Sequence, residues 1–170
     1  MADILLNHYI VRQVLAPSGN GLLANAVALT IKNVGTQTLA FIELSGQTLF
    51  TGTNAASGSL WGAQRVTATP ASGTLVTPFK CHPNGAAPSA NAEVRFSDTG
   101  TITGVTVDQP IAYHWGIASQ VGSNTVPPLF GTQENPLALI APGDCLAVYA
   151  LTAIVAGSRA SIHIEWNVVP

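Results

Sequence analysis

The chain has 170 residues, of which six are Lys or Arg and eight are Asp or Glu: 8% charged against 47% hydrophobic. Ordinary soluble domains carry roughly 25% charge, and disorder needs low hydrophobicity with high net charge, so disorder is excluded. A net charge of −2 with six scattered basic residues excludes a phosphate-tracking nucleic-acid surface. It also argues against a solitary, highly soluble monomer, whose surface usually carries many more charges.

One domain, residues 1–170, is expected, and it is long enough to bury a sizeable core. Sixteen Gly and eleven Pro punctuate about one residue in six, which suits short strands and turns rather than long helices. The longest uncharged runs, 44–64 and 109–133, are interrupted by Gly, Ser, Thr and Asn, so no membrane span is expected. Asp3 precedes the short apolar run Ile4, Leu5, Leu6 and no basic stretch comes before it. No secretory signal is therefore expected, and the chain is expected to fold in a cytoplasm. Cys81 and Cys145 are expected to be free, mostly buried thiols.

In chain order, residues 4–15 and 22–33 read as long strands separated by the turn residues Pro17-Ser18-Gly19-Asn20-Gly21. In the second of these, Val27, Leu29 and Ile31 take the inward phase and Ala28, Thr30 and Lys32 the outward one. Asn33-Val34-Gly35 turns the chain into a strand over 38–50. Strands follow over 60–69 and 74–79. Residues 92–107 read as a hairpin with a three-residue Asp98-Thr99-Gly100 connection and a bulge at Gly104. A strand is expected over 110–118, and a short strand or turn over 137–140. Ala141-Pro142-Gly143-Asp144 has Pro and Gly placed as in a type II turn. It opens a strand over 144–156, joined through Gly157-Ser158 as a tight hairpin to the last strand, 161–168. There Ile162, Ile164, Trp166 and Val168 share the buried face, and His163, Glu165 and Asn167 the wet one.

Nine or ten strands without an amphipathic helix read as an all-β, single-domain antiparallel β-sandwich, most simply a jelly roll. Two long connections, 80–91 and 119–136, stand out as functional or as ordered by a neighbour. The second carries Val126, Pro127, Pro128, Leu129 and Phe130. Such a run is too apolar for water, which makes these residues candidates for a subunit contact.

Chemistry is sparse. His8, His82, His114 and His163 show no metal-ligand spacing, so no metal site is expected. No nucleophile elbow or phosphate-binding Gly-rich motif is present. No catalytic residue and no cofactor are assigned. Tyr113 and Trp115 alternate across His114 about 7 Å apart along an extended chain, a spacing that fits a sugar-stacking platform as well as core filling.

The string Ile140-Ala141-Pro142-Gly143-Asp144-Cys145-Leu146-Ala147-Val148, followed by a closing strand with Trp166, resembles the C-terminal half of head-decoration (cement) proteins of tailed bacteriophages. In that family a Pro-Gly-Asp or Pro-Gly-Glu turn leads into an apolar strand and then a terminal strand with a Trp. The resemblance implies a virion structural protein, made in the host cytoplasm, that forms a homotrimer on the outside of the head. Such a trimer clamps neighbouring copies of the major capsid protein against the pressure of packaged DNA, and avidity multiplies modest single contacts. It implies no nucleic-acid or membrane partner. The competing expectations are another particle component (tail, spike or minor capsid protein), a carbohydrate- or receptor-binding sandwich using Tyr113 and Trp115, and an enzyme.

Overall fold

The structure is a computed structural model that describes residues 7–16, 21–49, 61–98, 100–107, 113–115, 123–125, 129–151, 153–154 and 156–169, with backbone only for 46–49, 113–115 and 123–125. Thirteen strands are found among the described residues: β1 (His8–Leu15), β2 (Val27–Asn33), β3 (Thr38–Leu49), β4 (Trp61–Val66), β5 (Thr74–Val76), β6 (Phe79–Lys80), β7 (Ala92–Phe96), β8 (Tyr113–Trp115), β9 (Ser123–Thr125), β10 (Leu129–Phe130), β11 (Ala138–Ile140), β12 (Cys145–Ala150) and β13 (Arg159–Val169). One turn of 3-10 helix, Pro88–Ala90, precedes β7.

Two antiparallel sheets pack against each other as a β-sandwich. The seven-stranded sheet runs β10-β3-β13-β1-β6, with β9 and β11 also on β3; the six-stranded sheet runs β5-β7-β2-β12-β4-β8. The alternation of β13 does what period two requires. Ile162, Ile164, Trp166 and Val168 are buried, while His163 and Glu165 are only partly so. Asn167 departs from the wet face expected for it. It is fully buried, and neither of its amide atoms has a partner. Between the sheets, Trp166 sits against Tyr9 and Phe41, with ring centroids 5.9 and 5.8 Å away.

β2 and β12 are buried on both faces, because a second apolar layer covers the outside of their sheet. The register shift between Val148 and Tyr149 leaves Ala28 without a partner on β12. Beyond it the faces exchange. Ala28, Leu29 and Ile31 belong to the inter-sheet core, whereas Val27 joins Ile102, Ala147 and Tyr149 in an outer cluster. This corrects the inward placement of Val27 and the outward placement of Ala28; Thr30 keeps its outward phase, opposite Ala147, but is fully buried under that layer.

The same outer layer overturns the expected hairpin over 92–107. β7 does not pair with 101–107; its two edges are occupied by β2 and β5. The chain instead crosses the sheet's outer surface, pinned by Ile102 N–H to the Val27 carbonyl at 2.8 Å and by Ala71 N–H to the Thr103 carbonyl at 2.8 Å. Apolar cover for a sheet already rich in Ala, Val and Tyr outweighs a local hairpin. Gly104 is the hinge of this crossing rather than a bulge. It has φ +81°, and a Cβ there would lie 2.5 Å from the Thr69 carbonyl oxygen.

The hairpin expected through Gly157-Ser158 is likewise absent. β12 pairs with β2 and β4, and β13 with β3 and β1, so the connection passes from one sheet to the other. A strand as apolar on both faces as β12 is best placed at the centre of its own sheet. The long strand expected over 22–33 is also divided. Leu22 bridges Ile154, Asn25 takes φ +63°, and the ladder starts at Val27. Asn tolerates that left-handed conformation.

The Ala141-Pro142-Gly143-Asp144 turn forms as its residues demand. Gly143 has φ +86°, and Asp144 N–H donates to the Ala141 carbonyl at 3.0 Å. Connection 80–91 is an ordered loop. Lys80 Nζ donates to the Pro83 and Gly85 carbonyls at 3.1 Å, and the Tyr9 hydroxyl donates to the Ala86 carbonyl at 2.9 Å. Connection 119–136, expected to be structureless, contains β9 and β10, both paired with β3. Long β3 offers a free edge there, which short strands fill.

Candidate functional site

The middle of the seven-stranded sheet carries the densest group of titratable side chains among the described residues, and it faces away from the core. Register builds it. Glu165 of β13 stands directly between Glu43 of β3 and Ile10 of β1, and His163 between Ser45 and Arg12. His8 enters diagonally from β1, and its carbonyl accepts from Cys81 N–H at 2.9 Å. Cross-strand partners share a face, so His8, Glu43, Ser45, His163 and Glu165 converge on one patch.

The contacts are short. His163 Nε2 lies 2.9 Å from Glu165 Oε1 and 3.9 Å from Glu43 Oε1. His8 Nε2 lies 3.1 Å from Glu165 Oε2, and Ser45 Oγ donates to Glu43 Oε1 at 2.9 Å. One atom each of Glu43, His163 and Glu165 fall within 4.8 Å of one another, a grouping that can hold a metal ion. His163 Nδ1 is buried without a partner, so in the free protein the proton belongs on Nε2, where the carboxylates are. No Lys or Arg pairs with either carboxylate among the described residues. Cys81 borders the patch; burial, and then the negative charge of Glu165, pushes its thiol above the usual range.

The patch is framed by exposed apolar side chains at the two edges of the sheet. Phe130, opposite Glu43, is 66% exposed, and Phe79, opposite Ile10, is 67% exposed. Val14 and Leu139 on the same sheet are also exposed. Of the expected subunit-contact run, Leu129 packs back against the core and Phe130 points out; Val126, Pro127 and Pro128 lie outside the described residues. Tyr113 and Trp115 occupy register positions opposite Ala63 and Trp61, both fully buried.

A second ionic feature supports the Pro-Gly-Asp turn. Arg65 Nε donates to Asp144 Oδ2 at 2.8 Å, and the Thr67 hydroxyl to Oδ1 at 3.0 Å, tying β4 to the start of β12. A shallow groove of about 260 Å³ between β5 and β7 is lined by Val34, Leu75, Val76 and Pro78, with Glu93 as its one charged group. One carboxylate gives it no acid–base pair.

Among the described side chains, the structure brings two histidines together, His8 and His163. Neighbouring positions in sequence gave no sign of this, since His8 and His163 lie on the first and last strands. The visible signal was weaker: His163 and Glu165 on the outward phase of one strand, and Glu43 and Ser45 two apart on another. Only the strand order joins them. No protein-family model matches the chain, and no curated protein matches it.

Proposed function

We propose that this chain is a structural subunit of a virus particle, of the head-decoration type, which assembles as a homotrimer and binds a capsid built from another protein. The carrying observation is the outer face of the seven-stranded sheet. Phe79, Phe130, Val14 and Leu139 remain exposed there, on a molecule with only fourteen charged residues. Exposed large apolar groups interspersed with few charges fit a surface that other subunits cover.

Strand order supports a jelly roll as the finer description of the sandwich. Taking β9 and β10 as one strand and setting aside β5, β6, β7 and β11, the first strand lies beside the last and the last beside the third. In the other sheet the second lies beside the next-to-last, and that beside the fourth. This nested pairing is that of two Greek keys, an architecture used by viral capsid proteins. Binding would be mechanical: each trimer contributes several modest contacts, and their linkage multiplies them.

The test is fractionation of particles from a host producing this chain. Comigration with intact heads in a density gradient, at a fixed ratio to the major capsid protein, is the expected result. A chain found only in the soluble fraction would overturn the reading.

A further inference from the structure

We propose that His8, Glu43, His163 and Glu165 form a binding site for a divalent first-row transition metal, with Zn2+ as its natural occupant. The site goes beyond the particle-subunit reading and does not depend on it. It is built on β1, β13 and β3, three adjacent strands at the middle of the sheet, so its ligands stand on paired backbone rather than on loops.

Three observations carry the assignment. The first is geometry. Single ligand atoms of Glu43, His163 and Glu165 already lie within 4.8 Å of one another, near the spread about a tetrahedral Zn2+, whose bonds of about 2.0–2.2 Å place ligand atoms roughly 3.3–3.5 Å apart, and His8 Nε2, 3.1 Å from the other oxygen of Glu165, is the fourth ligand. Small carboxylate rotations complete the set. The second is charge. Glu43 and Glu165 are directly opposed across the ladder, an arrangement that is unfavourable between like charges. Among the described residues neither has a Lys or Arg partner. A divalent cation between them offsets both charges. The third is ligand type. Two imidazoles with two carboxylates suit Zn2+, Co2+, Ni2+ or Cu2+, whereas Ca2+ and Mg2+ select oxygen-only shells.

The metal replaces the His163 Nε2 proton, and the proton then required on Nδ1 has no acceptor. A metal-bound His usually donates that proton to a neighbour, and loss of such a partner weakens binding by about 10–100-fold. The site is therefore a moderate one, with Kd on the order of micromolar, below the affinity of dedicated structural zinc sites.

The test is titration of the full chain with Co2+, followed by visible absorption, and with Zn2+, followed by calorimetry. A Cys81→Ser background keeps the exposed thiol out of the measurement. One equivalent should bind, with the intense visible bands of tetrahedral Co2+. His163→Gln and Glu165→Gln should each weaken binding at least tenfold, and His82→Gln should leave it unchanged. If either central variant fails to fold by circular dichroism, His8→Gln decides, and it must also weaken binding at least tenfold. Absence of saturable binding, binding unaltered in the folded site variants, or loss of binding in His82→Gln would each overturn the proposal.

Discussion

Trp166 contacts the rings of Tyr9 and Phe41 on its two neighbouring strands and is fully buried in the core between the sheets. Trp166→Ala should cost about 3–5 kcal/mol, read as a lower denaturant midpoint at unchanged slope. Asp144 is a different case. Its side chain is buried, but its partner Arg65 is more than half exposed, so the pair is screened on one side. Asp144→Asn should cost about 1–2 kcal/mol in the same measurement. A double-mutant cycle with Arg65→Met should return a smaller coupling than that, because Thr67 also donates to Asp144. The two thiols separate cleanly. Burial pushes Cys145 up to about 12, whereas Cys81 is exposed and raised only by partial burial and by Glu165. At pH 8 the native chain should react with one equivalent of a thiol reagent, at Cys81 and more slowly than a free thiol; denaturation should expose the second. Two equivalents in the native state would contradict the buried placement of Cys145. The sequence-level expectation that both thiols are mostly buried therefore holds for only one of them, because β6 is a two-residue edge segment and leaves Cys81 outside the ladder core.

At the scale of elements, alternation is a dependable guide to which strand face is buried and a poor guide to which strand is its neighbour. β13 illustrates the first: the inward set Ile162, Ile164, Trp166 and Val168 is legible from period two alone. β7 and β12 illustrate the second. Both read locally as hairpin strands, and both pair instead with β2, on opposite sides of it. A tight turn specifies a hairpin only when both strands belong to one sheet, and sheet membership is decided by global burial. The segment 101–107 shows what replaces the hairpin, and Gly104 is its most exacting position. Gly104→Ala should destabilise the fold by about 1–3 kcal/mol, from the left-handed backbone together with the approach to the Thr69 carbonyl. A substitution within a few tenths of a kcal/mol of neutral would mean that the crossing is not held as described. The edges of the other sheet carry the opposite expectation. A Phe79→Ser, Phe130→Ser double variant should still fold, with the parent's far-ultraviolet circular dichroism, since both rings are solvent-exposed in the isolated chain. It should nonetheless lose assembly or retention on particles. Full assembly by that variant would remove the outer face from consideration.

For the whole molecule, the scarcity of charge is legible at once, and its location becomes clear only in the folded chain. Arg12, Glu43 and Glu165 of the seven-stranded sheet and Lys32, Glu93 and Arg95 of the six-stranded sheet lie on outward positions of the middle strands or their neighbours, and Glu43 and Glu165, with His8 and His163, make the ionic patch. The sandwich class follows from turn spacing and strand phase. The patch does not, because it joins the first, third and last strands, and their adjacency is a property of sheet order rather than of any local segment. A surface with so few charges and with Phe79 and Phe130 left in water is stable against indiscriminate association only if a defined partner covers it. In the trimer proposed above, the first such partner is another copy of the chain. Light scattering coupled to size-exclusion chromatography measures this directly. A homotrimer should elute as a single species at three times the 17.5 kDa mass of one chain, unchanged on dilution through the micromolar range. A clean 17.5 kDa monomer across that range would contradict it.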